Sequence, residues 1–114
     1  MSFDYFVEED EREYSLGVSE KGALVGAVVL AHDSNLTSFL GEPTSRLKRF
    51  HMFPAYRGNG AQKIILEKVL ADFRSRGEAI VAFLGDENVL KELCLRNGFK
   101  EREGFLYWNP GKEK

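Results

Sequence analysis

The hydrophobic period of the chain changes from that of a strand to that of a helix near its middle. Residues 46–53 alternate, which predicts a strand, and Pro54 ends it because proline has no amide for a sheet ladder. The alternation predicts two faces, with Leu47, Arg49 and His51 on one and Lys48, Phe50 and Met52 on the other. Residues 61–76 have apolar side chains at helical spacing. A strand that leads through the glycine-rich segment 57–60 into a long helix restricts the chain to folds in which helices pack on a sheet.

The remaining patterns predict further strands and one short helix around this unit. Strands are predicted at 3–7, 14–18, 23–31 and 79–84, and as a final pair within 99–108. The nearly continuous apolar run at 23–31 predicts a central strand buried on both faces. Residues 89–94 predict a short helix, and the polar segment 33–45 predicts a loop. This order predicts an α+β fold with a mixed central sheet and two main helices. The fold is expected to be one domain over residues 1–114, with a frayed tail at 109–114.

Composition narrows the classes of function. The 114 residues are 43% hydrophobic, enough for one ordinary core, and they carry a net charge of −2. This balance gives no general attraction to nucleic acid or to acidic membranes, so neither is expected as a partner. No apolar run approaches the roughly 18 residues needed to span a membrane. The single cysteine excludes an internal disulfide, and a cytoplasmic location is expected.

The glycine-rich turn at 57–60 has the properties of an anion site. The first amides of a helix have no partner within the helix, and the helix dipole adds partial positive charge at that end. Glycines let an anion approach the backbone, and Arg57 can add a full positive charge beside it. The sequence contains neither the P-loop pattern nor the dinucleotide fingerprint. The turn therefore predicts a phosphate site of another kind, although a purely structural start to a helix would give the same pattern.

At this turn the sequence resembles the GCN5-related N-acetyltransferase (GNAT) family. The family signature is Gln/Arg-x-x-Gly-x-Gly/Ala between the fourth strand and a helix. This chain has Arg57-Gly58-Asn59-Gly60-Ala61-Gln62 there, with a departure only at Gln62. The preceding Pro54-Ala55-Tyr56 and the later Gly98-Phe99 are also similar to the family pattern. The resemblance implies an acyl-CoA N-acyltransferase (GNAT-like) fold that binds acetyl-CoA.

The resemblance also implies which residues would bind the coenzyme A moiety. The amides of Met52 and Phe53, at the end of the fourth strand, would meet the thioester arm. Asn88 would contact the pantetheine. The pyrophosphate would be held by the six residues of the turn, Arg57, Gly58, Asn59, Gly60, Ala61 and Gln62.

The reaction implied by the resemblance is direct attack of an amine on the thioester. It needs an acceptor for the amine proton and a donor to the leaving thiolate. Many family members have a tyrosine donor four residues before Gly-Phe, and here that position is Cys94. Cys94 could also carry the acyl group, or it could simply fill the core. The carboxylate base that is frequent on the fourth strand is missing, and His51 is the candidate in its place. No metal ion is expected.

The connection between the first two predicted strands departs from the family pattern. Family members usually place two helices there, and these cover part of the acceptor site, whereas only residues 8–13 separate the strands here. These helices are predicted to be reduced or absent. The acceptor face would then be open to a small-molecule or protein amine, or to a second subunit in a homodimer. The leading prediction is an acetyl-CoA-dependent N-acetyltransferase. The alternatives are a non-catalytic acyl-CoA-binding module and a protein-interaction module on the same fold.

Overall fold

A computed structural model describes residues 2–58, 60–85 and 88–111 of the chain. Within these ranges lie seven strands, three α-helices and one short 3₁₀ helix, Pro54–Tyr56. The strands are β1 (Asp4–Glu9), β2 (Glu13–Glu20), β3 (Ala23–His32), β4 (Thr44–Met52), β5 (Ala79–Ala82), β6 (Lys100–Arg102) and β7 (Phe105–Trp108). The helices are α1 (Ser34–Leu40), α2 (Ala61–Arg76) and α3 (Asn88–Arg96). The predicted α+β fold is confirmed.

All seven strands belong to one mixed sheet with the order β1-β2-β3-β4-β5-β7-β6. Neighbouring strands are antiparallel except β4 and β5, which are parallel. α2 connects β4 to β5, and α3 connects β5 to β6, which also run in the same direction. Because such crossovers are right-handed, α2 and α3 lie on the same face of the sheet.

A tight turn joins β1 directly to β2. The Asp10 carboxylate accepts hydrogen bonds from the amides of Arg12 (2.7 Å) and Glu13 (2.9 Å). These two backbone bonds lower the pKa of Asp10. No helix lies in this connection, as the sequence predicted. In the described part of the chain, this connection therefore places no helix over β1 and β2.

The main core lies between the sheet and α2. The predicted apolar face of this helix is buried, and its members are Ile65, Leu66, Val69, Leu70 and Phe73. Phe73 meets the ring of Tyr14 edge-on, with 5.2 Å between the ring centroids. The Tyr14 hydroxyl donates a hydrogen bond to the Asp72 carboxylate. Burial raises the pKa of Tyr14, and this hydrogen bond raises it further. Gly77 ends the helix in the left-handed conformation at φ 66°, as predicted.

The segment predicted as a loop at 33–45 contains a helix, so that prediction was wrong. The Asp33 side chain caps α1 by accepting a hydrogen bond from the Leu36 amide at 2.9 Å. Gly41 ends the helix at φ 76°. An N-cap aspartate followed by a glycine one helix-length later was the signal in the sequence. The polar composition of the segment concealed it, because none of the residues of α1 is buried.

The two faces of β3 and β4 also differ from the sequence prediction. The register between these strands shifts at Lys48, which has no cross-strand partner. This bulge turns Leu47 to the core side, together with Phe50 and Met52, rather than to the side of Arg49. β3 is not buried on both faces, because Val28 and Leu30 are buried whereas Ala27, Val29 and Ala31 are partly exposed.

The C-terminal strands form the predicted hairpin. Glu103 and Gly104 both have positive φ in its turn, at 36° and 91°. After β7 the Asn109 side chain donates to the Glu42 carboxylate, and residues 112–114 of the predicted tail lie outside the described ranges. No helix in the described part of the chain is long and apolar enough to cross a membrane.

Candidate functional site

The parallel ladder between β4 and β5 covers only three residue pairs. Residues 44–46 pair with residues 79–81. β4 then continues to Met52, whereas β5 ends at Ala82 and the chain leaves the sheet. In the described part of the chain, the β4 edge that faces β5 therefore has no strand partner over residues 47–52. The two strands separate there and leave a cleft.

The cleft has a volume of about 660 Å³, which is within the usual range for small-molecule sites. Three segments line it: Phe50, His51 and Met52 on β4, Leu84, Val89 and Leu90 around the start of α3, and Arg57, Gly58 and Gln62 at the glycine turn. The walls along β4 and α3 are mostly apolar, and the end at the glycine turn is polar. A ligand with an uncharged body and a charged end would match this division.

The polar end of the cleft coincides with the start of α2. Gly58 and Gly60 adopt left-handed φ of 78° and 87°, which glycine adopts without steric cost. Gly60 is the N-cap residue, and no side chain caps the helix. The first bond along the helix runs from the Ile64 amide to the Gly60 carbonyl at 3.4 Å. The amides of Gln62 and Lys63 precede it and have no acceptor among the described residues, so they are free to bind an anion.

Arg57 lies across this end of the cleft. Its Nε donates to the Met52 carbonyl at 3.2 Å, which ties the glycine turn to the end of β4. The side chain is exposed. Ala61, the first residue of α2, is fully buried and belongs to the core. The structure therefore brings the predicted residues Arg57, Gly58, Gly60 and Gln62 together, with Ala61 beneath them.

Met52 and Phe53 differ in the direction of their main-chain groups. The Phe53 amide donates to the Val25 carbonyl of β3 at 2.9 Å, so it already has a partner. Main-chain groups alternate between the two edges of a strand, and the Met52 groups therefore point to the other edge, toward the cleft. The bond from Arg57 to the Met52 carbonyl agrees with this direction. Of the two predicted residues, Met52 offers its main chain to the cleft.

His51 reaches the cleft from the sheet face opposite α2. Its ring is exposed and meets the Phe53 ring edge-on, with 5.0 Å between the centroids. Among the described residues that line the cleft, none is an Asp, Glu, Tyr or Cys. His51 is therefore the lining side chain of the type that most often acts as a general base.

Cys94 lies in the core rather than in the cleft. It is fully buried, one helical turn after Leu90, which does line the cleft. Burial raises the pKa of its thiol to about 12. The thiol is thus protonated at neutral pH and lies behind the apolar wall.

Two predicted cofactor contacts cannot be placed. Asn59 lies outside the described residues. Asn88 is the first residue of α3, but its side chain also lies outside the described part. Among the side chains that are described, no group of three or more His, Cys, Asp or Glu residues could hold a metal ion.

Four apolar lining residues were not predicted from the sequence as part of a site: Phe50, Leu84, Val89 and Leu90. Their pattern does not differ from that of core residues, since each occurs at strand or helix spacing. The exposed fraction distinguishes Val89 from core residues, but it does not distinguish Leu90. Val89 is 69% exposed, whereas Leu90 beside it is 5% exposed. The separation of β4 and β5 creates this wall, and the sequence contains no local signal for it.

Comparison with known families supports the fold. Residues 2–99 match the Acetyltransferase (GNAT) family. No curated protein sequence matches the chain.

Solved structures of similar fold share few residues with this chain. The ribosomal-protein-S18-alanine N-acetyltransferase from Escherichia coli superposes with a TM-score of 0.72 at 14% identity, over 89% of this chain and 71% of that one. Arabidopsis thaliana NAA60, in complex with a bisubstrate analogue, gives 0.68 at 14% identity, over 86% and 75%. The PaiA N-acetyltransferase from Thermoplasma acidophilum, in complex with coenzyme A, gives 0.62 at 18% identity, over 84% of this chain. This chain spans 58% of that last protein. At such identities the similarity concerns the fold alone.

Proposed function

The chain belongs to the Acetyltransferase (GNAT) family, and from that premise we propose that it is an acetyl-CoA-dependent N-acetyltransferase acting on an amine. The observation that carries the proposal is the cleft between β4 and β5, which ends at the uncapped amides of α2. Coenzyme A thioesters combine a diphosphate with a long uncharged arm. This composition matches the polar end and the apolar walls of the cleft.

The diphosphate would bind at the glycine turn. The free amides of Gln62 and Lys63 and the dipole of the 16-residue helix α2 favour an anion there. Gly58 and Gly60 leave space for it next to the backbone. Arg57 uses Nε for the Met52 carbonyl, and its terminal nitrogens have no partner in the described part of the chain. Those nitrogens would add a charge-assisted bond to a phosphate oxygen.

The pantetheine arm would lie along the unpaired edge of β4. The Met52 carbonyl already accepts from Arg57, whereas the Met52 amide points to this edge and would donate to a carbonyl of the arm. Leu84, Val89 and Leu90 would cover its other side. The Thermoplasma acidophilum structure of the same fold, which is a complex with coenzyme A, supports a cleft ligand of this kind.

His51 would act as the general base. As the amine nitrogen bonds to the thioester carbonyl carbon, the nitrogen loses a proton, and a neutral imidazole can accept it. The carbon–sulfur bond then breaks, and the thiolate gains a proton. The Cys94 thiol keeps its proton at neutral pH, since its pKa is about 12, but it lies behind Leu90. His51 is therefore the first residue to test, and Cys94 as the proton donor is the second.

Calorimetry with acetyl-CoA and thiol release with a panel of amines test the proposal. We expect the wild type to bind acetyl-CoA and release thiol with at least one amine. In His51→Ala the affinity should stay within about threefold, while kcat/KM falls about 10²–10⁴-fold. His32→Ala, on β3 at the opposite end of the strands, is the matched control and should change neither. Absence of acetyl-CoA binding in the wild type would refute the proposal.

A second candidate function is a module that binds acyl-CoA without transfer. It is favoured by one observation, the lack of a carboxylate among the described lining residues. Such a module would bind acetyl-CoA normally and release no thiol with any amine, peptide or protein. His51→Ala would then have no measurable effect on thiol release.

A further inference from the structure

In the described part of the chain, one face of strands β1 to β3 has no helix over it. We call this surface the open face; cross-strand register places Phe6, Glu8, Ser15, Gly17, Ala27, Val29, Arg49 and His51 on it. We propose that a second copy of this chain packs on the open face about a twofold axis parallel to the strands. Glu8 of one copy then lies on Arg49 of the partner subunit, and the reverse pair forms as well.

The open face is the side of the sheet away from α2. Tyr14, Leu16 and Val18 alternate with its residues along β2 and are buried under that helix. On the open side, the one helix within the described ranges is α1, which contacts the beginning of β4 near Thr44. Nothing in the described part of the chain covers β1 to β3 on that side.

The centre of the open face is apolar and flat. Ala27 and Val29 are partly exposed, and Gly17 has no side chain. Phe6 is 60% exposed and stands over Gly17, where an added Cβ would meet its ring and Cβ at 3.9–4.0 Å. A flat apolar centre with charges at its margins is the usual composition of a protein interface.

The charges at the two margins are opposite in sign and lie on one cross-strand row. The pairs Glu8–Ser15, Ser15–Val29 and Val29–Arg49 define this row. It spans three strand spacings, roughly 14 Å. Glu8 and Arg49 are exposed, and neither has an ion-pair partner in the part of the chain that the structure describes. Two other charge pairs lie near this row, Glu13 with Lys48 at 2.7 Å and Asp33 with Arg46 at 3.4 Å.

The opposite charges of this row favour one symmetric arrangement of two copies. A twofold axis parallel to the strands, between β2 and β3, places β1 of one copy over β4 of the other, so Glu8 meets the partner's Arg49. An axis perpendicular to the strands places β1 over β1 and brings acidic side chains together. Antiparallel pairing of two β1 edges about Phe6 sets Asp4 against Glu8 of the partner subunit, which is also repulsive. Only the first arrangement pairs opposite charges, and it forms both pairs at once.

The same arrangement affects the cleft. Phe6 lies on the cross-strand row of Gly17, Ala27 and His51, so Phe6 of the partner subunit covers the His51 side. It gives that side of the cleft an apolar cover. This consequence for the acceptor rests on the proposed function, whereas the dimer itself does not.

Sedimentation equilibrium over a range of concentrations, with two charge-reversed variants, tests the dimer. Glu8→Arg and Arg49→Glu should each raise the dissociation constant at least about tenfold, since like charges then meet. An equimolar mixture of the two should restore association to within about threefold of wild type, because the heterodimer has both pairs with opposite charges. The variant carrying both changes in one chain should also associate. Glu67→Arg on α2 and Lys100→Glu on β6 are the matched charge controls and should behave as wild type.

Three outcomes would overturn the proposal. The first is a wild type that stays monomeric up to about 1 mM, a concentration that would detect even weak association; the open face would then be left to the acceptor. The second is a mixture that stays monomeric while the single variants keep their far-ultraviolet circular dichroism. The third is tighter association of Glu8→Arg, which would indicate edge pairing of β1. None of these measurements depends on acetyl-CoA binding, so failure of the dimer and failure of the transferase proposal are separable.

Discussion

The two ends of the β4–β5 pair differ in how their main-chain groups are satisfied. At the paired end, residues 44–46 and 79–81 form a ladder, and the Ala79 amide donates to the Pro43 carbonyl at 2.9 Å. Side chains close this end further, because Glu78 accepts from Ser45 and lies 3.8 Å from Arg76. At the separated end, the β4 edge has no strand partner among the described residues, and the amides of Gln62 and Lys63 have no described acceptor.

Under the proposed function, this difference predicts that one end contributes to stability and the other to ligand binding. Unpaired main-chain groups are tolerated only where water or a ligand can reach them, and the cleft provides that access. α2 connects the two regions. Its C-terminal turn, with Phe73, packs at the paired end, and its N-terminal turn forms the polar end of the cleft. Changes at one end of this helix should therefore affect stability, and changes at the other should affect affinity.

The largest effect on stability is expected at the paired end, from Phe73→Ala. Phe73 is fully buried against Tyr14, so its removal leaves a cavity. The free energy of unfolding should fall by about 3–5 kcal/mol, measured by urea denaturation. The dissociation constant of the folded fraction for acetyl-CoA should change less than about threefold. A loss of binding free energy for acetyl-CoA as large as the loss of unfolding free energy would show that the two ends are coupled. It would contradict separate roles for the two ends.

The largest effect on binding is expected at the separated end, from Gly60→Glu. A carboxylate at this position would face the diphosphate, and a side chain would fill the space next to the free amides. Affinity for acetyl-CoA should fall at least about 100-fold, or about 2.7 kcal/mol, by calorimetry. Gly41→Glu is the matched control, because Gly41 has a similar φ of 76° and no neighbour within 4 Å of an added Cβ. Both variants bear the cost of a left-handed residue, about 1–2 kcal/mol of stability, and only Gly60→Glu should lose affinity. Equal affinities of the two variants for acetyl-CoA would contradict a diphosphate site at the glycine turn.

The smallest effect on stability is expected from Cys94→Ala, and it tests whether Cys94 belongs to the core or to the cleft. Its folded pKa of about 12 lies above the ordinary value of 9.0, so its contribution to stability is complete below pH 9 and is lost as the pH rises toward 12. Over this range, ionisation of the Cys94 thiol in the unfolded chain lowers the free energy of unfolding by up to about 1.4 kcal/mol per pH unit. Cys94→Ala should show a shallower loss between pH 9 and 10 in denaturation experiments. A thiol in the cleft would give no such difference. A loss of acetyl transfer beyond the loss of stability in this variant would instead support its role as the proton donor.

Local chemistry was sufficient to predict most of the elements. α2 matches its predicted bounds, because its apolar spacing is unbroken and glycines occupy both of its ends. The strand predictions also hold to within a few residues, since each strand is bounded by a turn residue such as Gly22 or Pro54. α1 was missed because a short exposed helix has no apolar period, and only its caps Asp33 and Gly41 identify it.

The candidate site was predicted in part. The glycine turn is local, so neighbours in the sequence such as Arg57, Gly58 and Gly60 are also neighbours in the structure, and their role in binding stays a prediction. The pairing of the Phe53 amide with Val25 and the core position of Cys94 depend on the register of β3 with β4 and on the packing of α3. Residue spacing along one element contains no information about either.

By itself, the sequence determined most of the elements, their order and the glycine turn that starts α2. These depend on the backbone conformations and apolar periods of neighbouring residues. Tertiary structure alone decided that β4 separates from β5 after Arg46, that a bulge at Lys48 turns Leu47 to the core, and that Glu8 and Arg49 share a row on an uncovered face. Each of these features is a relation between strands distant in the chain. Such relations are set by the total pairing and packing energy of the sheet. No single segment contributes enough of this energy for its own sequence to reveal them.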